Sequence, residues 1–344
     1  MQAMTWAQLF HLSESPPFTK SPIRASEFPS GFFRVLKGRS HALGRSRTHL
    51  KYARNGADTN QSSQVPDSKT ADSENARSPS SSFLSVLCPL LKFFGGGDPS
   101  RERNEIVEVI TSSLSSVARL PWGSRSLIVS DMHSLGSIEN PSKLQLYEFE
   151  ACPFCRRVRE AMTELDISVE VYPCPKGSMR HREMVQKIGG KEQFPFLVDL
   201  NAGVSMYESD DIVRYLFQKY GHGRSPSFGL LESTLLTGWM PTLLRAGRGM
   251  TLWERAAAEP PSKMIELFSY ENNPNARIVR EALCELELPY ILHNVGEGSA
   301  NIELLLKASG SKQVPYLVDP NTGAQLGDYK KILFYLFQTY SSGS

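Results

Sequence analysis

The sequence predicts an α/β protein in which one β-α-β-α-β-β-α unit occurs twice, after a disordered N-terminal region. Two observations carry this. From Lys143 onward, short strand-like runs alternate with longer segments of helical periodicity. The same order then returns between residues 263 and 344, with much of its sequence kept.

Each element of the first unit has a local reason. LQLYEF reads as a strand. PFCRRVREAMTELD reads as a helix with Val158, Met162 and Leu165 on its inner face. SVEVYPC is a second strand. SMRHREMVQKIGG is a second helix, with Ser178 at its N-cap and Gly189 at C′. FPFLVD and GVSMYE are strands around the turn LNAG. SDDIVRYLFQKYG is a third helix, capped by Ser209 and opened by acids that suit the helix dipole.

In the second unit, IELFSY, PNARIVREALCELEL, YILHNV, SANIELLLKAS, VPYLVD, GAQLGD and YKKILFYLFQTY trace the same seven elements. Gln145–Asp166 against Glu266–Glu287 gives ten identities in 22. Phe194–Gly203 against Val314–Gly323, and Asp211–Tyr220 against Lys331–Tyr340, each give six in ten. The matches are ordered and nearly gap-free, which is the mark of an internal duplication.

Outside the repeat the chain divides by composition. Residues 1–57 hold nine Lys or Arg and only two acids, Glu14 and Glu27, with abundant hydroxyl residues, the composition of an organelle transit peptide. Residues 58–82 are polar and are expected to be a disordered linker. Residues 83–142 contain the apolar stretch FLSVLCPLLKFF, too short to span a bilayer, then an amphipathic helix and a loop. That stretch either packs on the fold or touches a membrane surface, which leaves peripheral membrane association open. The helix runs from about Arg103 to Leu120, with Ile106, Val107, Ile110, Leu114 and Val117 on one face. The two units occupy 143–222 and 263–344, and 223–262 connects them. The connector's apolar run, Phe228–Leu244, contains Glu232 and Pro241 and reads as a packed helical link rather than a span. A net charge of +2 gives no argument for nucleic acid as a partner.

The chemistry concentrates in the first unit. Five cysteines are too few for a secreted disulfide scaffold, and a lone C-x-x-C points to redox work or metal. Zinc would need two further ligands beside Cys152 and Cys155, and Cys174 and His181 are the only nearby candidates. No metal and no tightly bound cofactor is expected. With Pro153 at the first helical position, Cys152 falls at the N-cap, among unpaired N–H groups and the positive helix end. Arg156 and Arg157 add positive charge one turn on, unless the run Arg156, Arg157, Arg159 is simply a solvated face. Cys152 is therefore the candidate nucleophile, and Cys155, a turn later, can resolve a mixed disulfide formed on it. In the second unit Asn273 and Ala276 stand at these two positions, so helix capping survives and thiol chemistry does not.

A strand ending in Cys-Pro-Phe-Cys at a helix start, in this element order, resembles the glutaredoxin branch of the thioredoxin fold. QFPFLVD and MYES resemble the glutathione-binding elements of the glutathione transferase N-terminal domain. The resemblance implies a cis peptide bond between Phe194 and Pro195, with the Phe194 backbone meeting the cysteinyl part of glutathione. It also implies that Glu208 and Ser209 hold the γ-glutamyl group. Over about residues 83–344 the chain resembles plant plastid proteins with two such thioredoxin-like units in tandem. The expected function is a chloroplast glutathione-linked thiol–disulfide oxidoreductase, with glutathione as co-substrate and plastid thiol or disulfide proteins as partners. The alternatives are a scaffold that binds glutathione or a partner without turnover, and a conjugating transferase. For the last, the connector leads into a second thioredoxin-like unit where such transferases have an all-helical domain, so the electrophile site is expected to be missing unless the second unit provides it.

Overall fold

The computed structural model describes residues 34–35, 98–101, 104–127, 143–178 and 180–342. All described residues lie within the unit Phe33–Ser344. The expected linker at 58–82 and the apolar stretch at 83–94 lie outside the described residues. So do the transit sequence apart from 34–35, and most of the loop before Pro141.

The elements in order are β1 (Arg34–Val35), α1 (Glu105–Val117), β2 (Leu144–Glu148), α2 (Pro153–Glu164), β3 (Val169–Pro173) and α3 (His181–Gly189). Next come β4 (Phe196–Asp199), β5 (Val204–Met206), α4 (Ser209–Tyr220), and two short connector helices, α5 (Ser233–Leu236) and α6 (Met240–Leu244). The second repeat supplies β6 (Ile265–Ser269), α7 (Pro274–Glu285), β7 (Tyr290–Asn294), α8 (Ile302–Ser309), β8 (Tyr316–Asp319), β9 (Ala324–Leu326) and α9 (Tyr329–Thr339). All fourteen expected elements of the two repeats are present.

The strands form one sheet in the order β1-β5-β4-β2-β3-β7-β6-β8-β9. Its centre is the antiparallel pair β3–β7, where Val169 faces Leu292 and Val171 faces Tyr290. Val169 and Tyr290 are equivalent positions in the two repeats, as are Val171 and Leu292. A pseudo-two-fold axis therefore passes through the seam, and the two cores merge into one apolar cluster that includes Leu146, Val158, Val171, Leu267, Val279 and Leu292.

The axis also governs the segments ahead of each repeat. α1 packs on α7 of the second repeat, while α5 packs on α2 of the first. Arg277 donates to Ser112 O of α1 at 2.7 Å, and its equivalent, Arg156, donates to Gly238 O of the connector at 3.0 Å. Arg119, after α1, forms a bidentate pair with Glu160 (2.8 and 2.7 Å). Arg245, after α6, does the same with Glu281 (2.8 and 2.7 Å). The repeating module is thus an arm plus a thioredoxin-like unit, and each arm helix covers the other module. Close approach demands glycine where each arm meets the seam. Gly249 has φ +71, and a Cβ there would sit 2.7 Å from Glu150 Cβ.

Three local readings need correction, and two of them fail for reasons that lie across the seam or at the site. α3 starts at His181, and Arg180 at its N-cap gives no side-chain cap. The cap is Glu287 of the second repeat, which accepts from His181 N (3.3 Å) and from the Ser178 hydroxyl. Asp166 returns the favour at the start of α8, accepting from Ala300 N at 2.8 Å. Gly190, not Gly189, takes the left-handed conformation that ends α3. Ser209 is the first residue of α4 rather than its cap, and Glu208 holds the N-cap position with φ +65.

Candidate functional site

Cys152 is the N-cap of α2, in extended conformation (φ −74°, ψ 122°), and its Sγ accepts from Cys155 N at 3.3 Å. Asn273 occupies the same place on α7 with nearly the same angles, and its Oδ1 accepts from Ala276 N at 2.8 Å. The backbone is conserved between the two while the sulfur is not.

Burial alone would push the Cys152 thiol up. Hydrogen bonds from the Cys155 side chain and from the N–H groups of Cys155 and Phe154 outweigh it, so Cys152 ionises more readily than an ordinary thiol. Cys155 moves the other way, raised well above the usual range by burial and by its neighbour Cys152. The pair thus divides into one sulfur prepared to be a thiolate and one held as a thiol, the order a nucleophile and a resolving group require. Cys174 and Cys284 are raised well above the ordinary range by burial, which makes them poor nucleophiles.

The arginines do not form a solvated face. Arg156, Arg157 and Arg159 are all buried. Burial lowers Arg157 to about 10, and the charges of Glu160 and, more weakly, of Cys152 oppose this. Arg156 turns to Gly238 O, Glu150 O and Glu271. Arg159 enters a buried cluster with Glu148, Glu150 and Glu271, which Arg280 joins from the second repeat through Glu150 and Glu271. Glu271 is held down at about 2; burial opposes this, but Arg159 and Arg280 dominate. Glu148 has the poorer share of these cations. Burial raises it to about 7, and Arg159 only partly offsets this.

Beside the thiols lies a cleft of about 460 Å³ whose walls include Phe194, Pro195, Glu208 and Ser209. These four were expected together, and the structure brings them together. The Phe194–Pro195 bond is cis. Arg157 binds Ser209 Oγ at 3.2 Å and pairs with Asp210. Glu208 accepts from Gln193 Nε2 at 2.6 Å. It sits at the N-cap with positive φ, and no side chain caps α4. A glutamate held at φ +65 is a strained conformation of the kind that marks ligand contacts. The open N-terminus of α4 is suited to a carboxylate.

Cys152 and Cys155 do not line this cleft. They are 2 % and 0 % exposed and share an apolar cluster with Met250 and Cys284. Phe154 and Phe194 belong to both, forming cleft wall on one side and thiol packing on the other. Trp239 of the connector meets Phe154 edge-on at 6.2 Å, and Thr242 Oγ1 binds Ala151 O at 2.5 Å. The connector thus closes over the thiol loop.

The second repeat has the matching cleft, about 280 Å³, but relined. Ile278 stands for Arg157, Tyr329 for Ser209 and Phe334 for Arg214. Asp328 stands for Glu208 and caps α9 itself, accepting from Lys330 N and Lys331 N at 3.0 Å each. The helix end left open in the first repeat is filled by the protein's own carboxylate in the second. Val314–Pro315 is cis there as well.

The comparison with family models agrees with this architecture. The family model for the glutathione S-transferase N-terminal domain matches twice, at residues 146–226 and 267–344. Each repeat is therefore a thioredoxin-like domain of the glutathione transferase N-terminal type, and the chain carries two in tandem. A solved Leishmania structure described as "TDR1 - a unique trimeric glutathione transferase" is similar at 15% identity, over 59% of this chain and 68% of that one, with a TM-score of 0.21. A search of curated proteins finds no match.

Sequence reading missed Arg157, Gln193 and Asp210 as parts of the cleft. Gln193 was within reach, being adjacent to Phe194. Arg157 was not, because only the approach of α4 to α2 brings it to Ser209.

Proposed function

We propose that the protein is a glutathione-linked thiol–disulfide oxidoreductase acting through its first repeat. The observation that carries this is the contrast between repeats. The one with Cys152 and Cys155 keeps an uncapped α4 and a polar cleft; the one without cysteines has capped its helix and relined its cleft.

Glutathione would lie against Phe194, with its γ-glutamyl carboxylate at the α4 N-terminus and its ammonium near Glu208. The Cys152 thiolate attacks a sulfur of a glutathionylated protein or other disulfide. That S–S bond breaks, the leaving sulfur takes a proton, and a mixed disulfide stays on Cys152. Cys155 gives up its proton and attacks the Cys152 sulfur, forming the Cys152–Cys155 disulfide and releasing the second thiol. Two glutathione molecules then reduce this disulfide and leave as oxidised glutathione. Cys152 must become accessible for the first step, which requires the connector around Trp239 and Thr242 to move.

The test is glutathione-coupled disulfide reduction by the wild type, Cys152→Ser and Cys155→Ser, with calorimetry of glutathione binding. Turnover in the wild type and none in Cys152→Ser supports the reading. Equal inactivity of folded wild type and Cys152→Ser refutes it. Binding without turnover would favour a non-catalytic glutathione or partner scaffold, a reading motivated by the burial of both thiols. Action in the plastid is part of the proposal and rests on the composition of residues 1–57 and on the resemblance to tandem plant plastid proteins. Import of a reporter fused to that segment tests it.

A further inference from the structure

Soluble helices normally turn their apolar side inward. α1 does the opposite. Its buried residues are Ser112 and Ser115, while Ile106, Val107, Ile110, Leu114 and Val117 are each at least 50% exposed. The serines face inward for a reason. Ser112 Oγ donates to Pro274 O at 2.7 Å, and Arg277 donates to Ser112 O and to Ser116 Oγ at 3.0 Å. The inner face of this arm is hydrogen-bonded to the second repeat, and the aliphatic face is left over.

The second arm repeats the arrangement. Thr234, Pro241 and Thr242 are buried, while Leu235, Leu236, Met240 and Leu243 are exposed. Phe228, at the turn before α5, is fully exposed at 101%. α1 packs against α6, so the two apolar stripes lie side by side around the pseudo-two-fold axis. The arginine that follows each arm's helices points inward: Arg119 and Arg245 are buried in their pairs with Glu160 and Glu281.

An exposed apolar patch of this extent marks an interaction surface. Its composition decides what kind. The centres of protein–protein interfaces favour Tyr, Trp and Arg anchors with hydrogen-bonding rims. This surface offers aliphatic side chains and Phe228, with Trp122 and Trp239 half-buried beside them. At its edge Glu105 is paired with Lys330 at 2.6 Å, and Glu232 is an exposed acid, which disfavours anionic headgroups. No described helix is long and apolar enough to cross a membrane, so the arms can lie on a bilayer but not span it. In the sequence, the apolar stretch FLSVLCPLLKFF ends shortly before this layer begins.

We infer that the paired arms form a lipid-docking face that seats the protein on a bilayer surface of neutral headgroups. This does not depend on the redox reading, because none of the outward residues touches the thiols.

The experiment is flotation of the full chain with phosphatidylcholine vesicles and with vesicles containing phosphatidylglycerol. The variants are Ile110→Glu/Leu114→Glu and, on the other arm, Leu235→Glu/Leu236→Glu. All four positions are exposed, so circular dichroism should be unchanged. The wild type is expected to float with the neutral vesicles, no better with anionic ones, and each double variant at least about tenfold less. Three results would overturn the inference. One is a wild type that stays in the soluble fraction. Another is variants that float as well as the wild type, which assigns binding elsewhere on the chain. The third is failure to float together with a wild-type dimer, seen by ultracentrifugation, that the variants abolish; the face would then bind a second copy.

Discussion

Replacing Glu271 by Gln probes the seam between the repeats directly. Its carboxylate lies 2.7 Å from Arg159 Nε, 3.1 Å from Arg280 Nη2 and 3.5 Å from Arg156 Nε. All three arginines are almost wholly buried. Removing the charge leaves Arg159 and Arg280 to share Glu148 and Glu150, and leaves the Nε of Arg156, which has no hydrogen-bond partner, without its nearest acid. Breaking a buried pair in this way typically costs about 3–5 kcal/mol. The depressed ionisation of Glu271 gives the same order, since each tenfold change in proton affinity is worth about 1.4 kcal/mol. Urea unfolding followed by far-ultraviolet circular dichroism and tryptophan fluorescence measures it. The midpoint should fall while both probes keep one coincident transition, because β3–β7 joins the repeats in one sheet and one core. A loss below about 1 kcal/mol would refute the claim that the cluster holds the seam. Two separated transitions would refute the claim that the repeats fold as one.

Three further outcomes are expected. Glu208→Gly should relieve the positive-φ strain and raise stability by about 1 kcal/mol, while weakening glutathione binding by calorimetry. Glu148 bears on pH: a carboxyl raised to about 7 in the folded state holds a proton that the unfolded chain gives up near 4.5. Stability should therefore fall as pH rises between these values, and Glu148→Gln should flatten that fall in unfolding measured at several pH values. Finally, Cys152 should be alkylated by iodoacetamide at least about tenfold more slowly than an exposed thiolate of similar acidity, and Met250→Ala should speed the reaction, both read by mass spectrometry.

The element order was legible from residues because each thioredoxin-like repeat is built from local signals. Pro153 at a helix start and the turn LNAG between two strands are such signals. Cys152 as N-cap was legible for the same reason, and Asn273 supported it by preserving the capping role. What stayed hidden was whatever the pseudo-axis supplies. Ser178 resembled a cap because nothing in its neighbourhood reveals Glu287. Arg159 resembled a solvated residue because its three acids come from the strand end, the thiol loop and the other repeat. The periodicity of α1 fixed a helix but not which side faces the protein, since the inward serines are chosen by carbonyls and guanidinium groups far away in sequence.

The crossing of the arms has a consequence for how the two halves could become unlike. Two separate copies of one such module, joined by the same seam, would carry every substitution twice, so losing a thiol would empty both sites together. In a single chain the seam positions can stay paired, as Arg119 with Glu160 and Arg245 with Glu281 have, while positions away from it diverge independently. Covalent linkage thus lets one half go without the two thiols while both stay bound to the same structure.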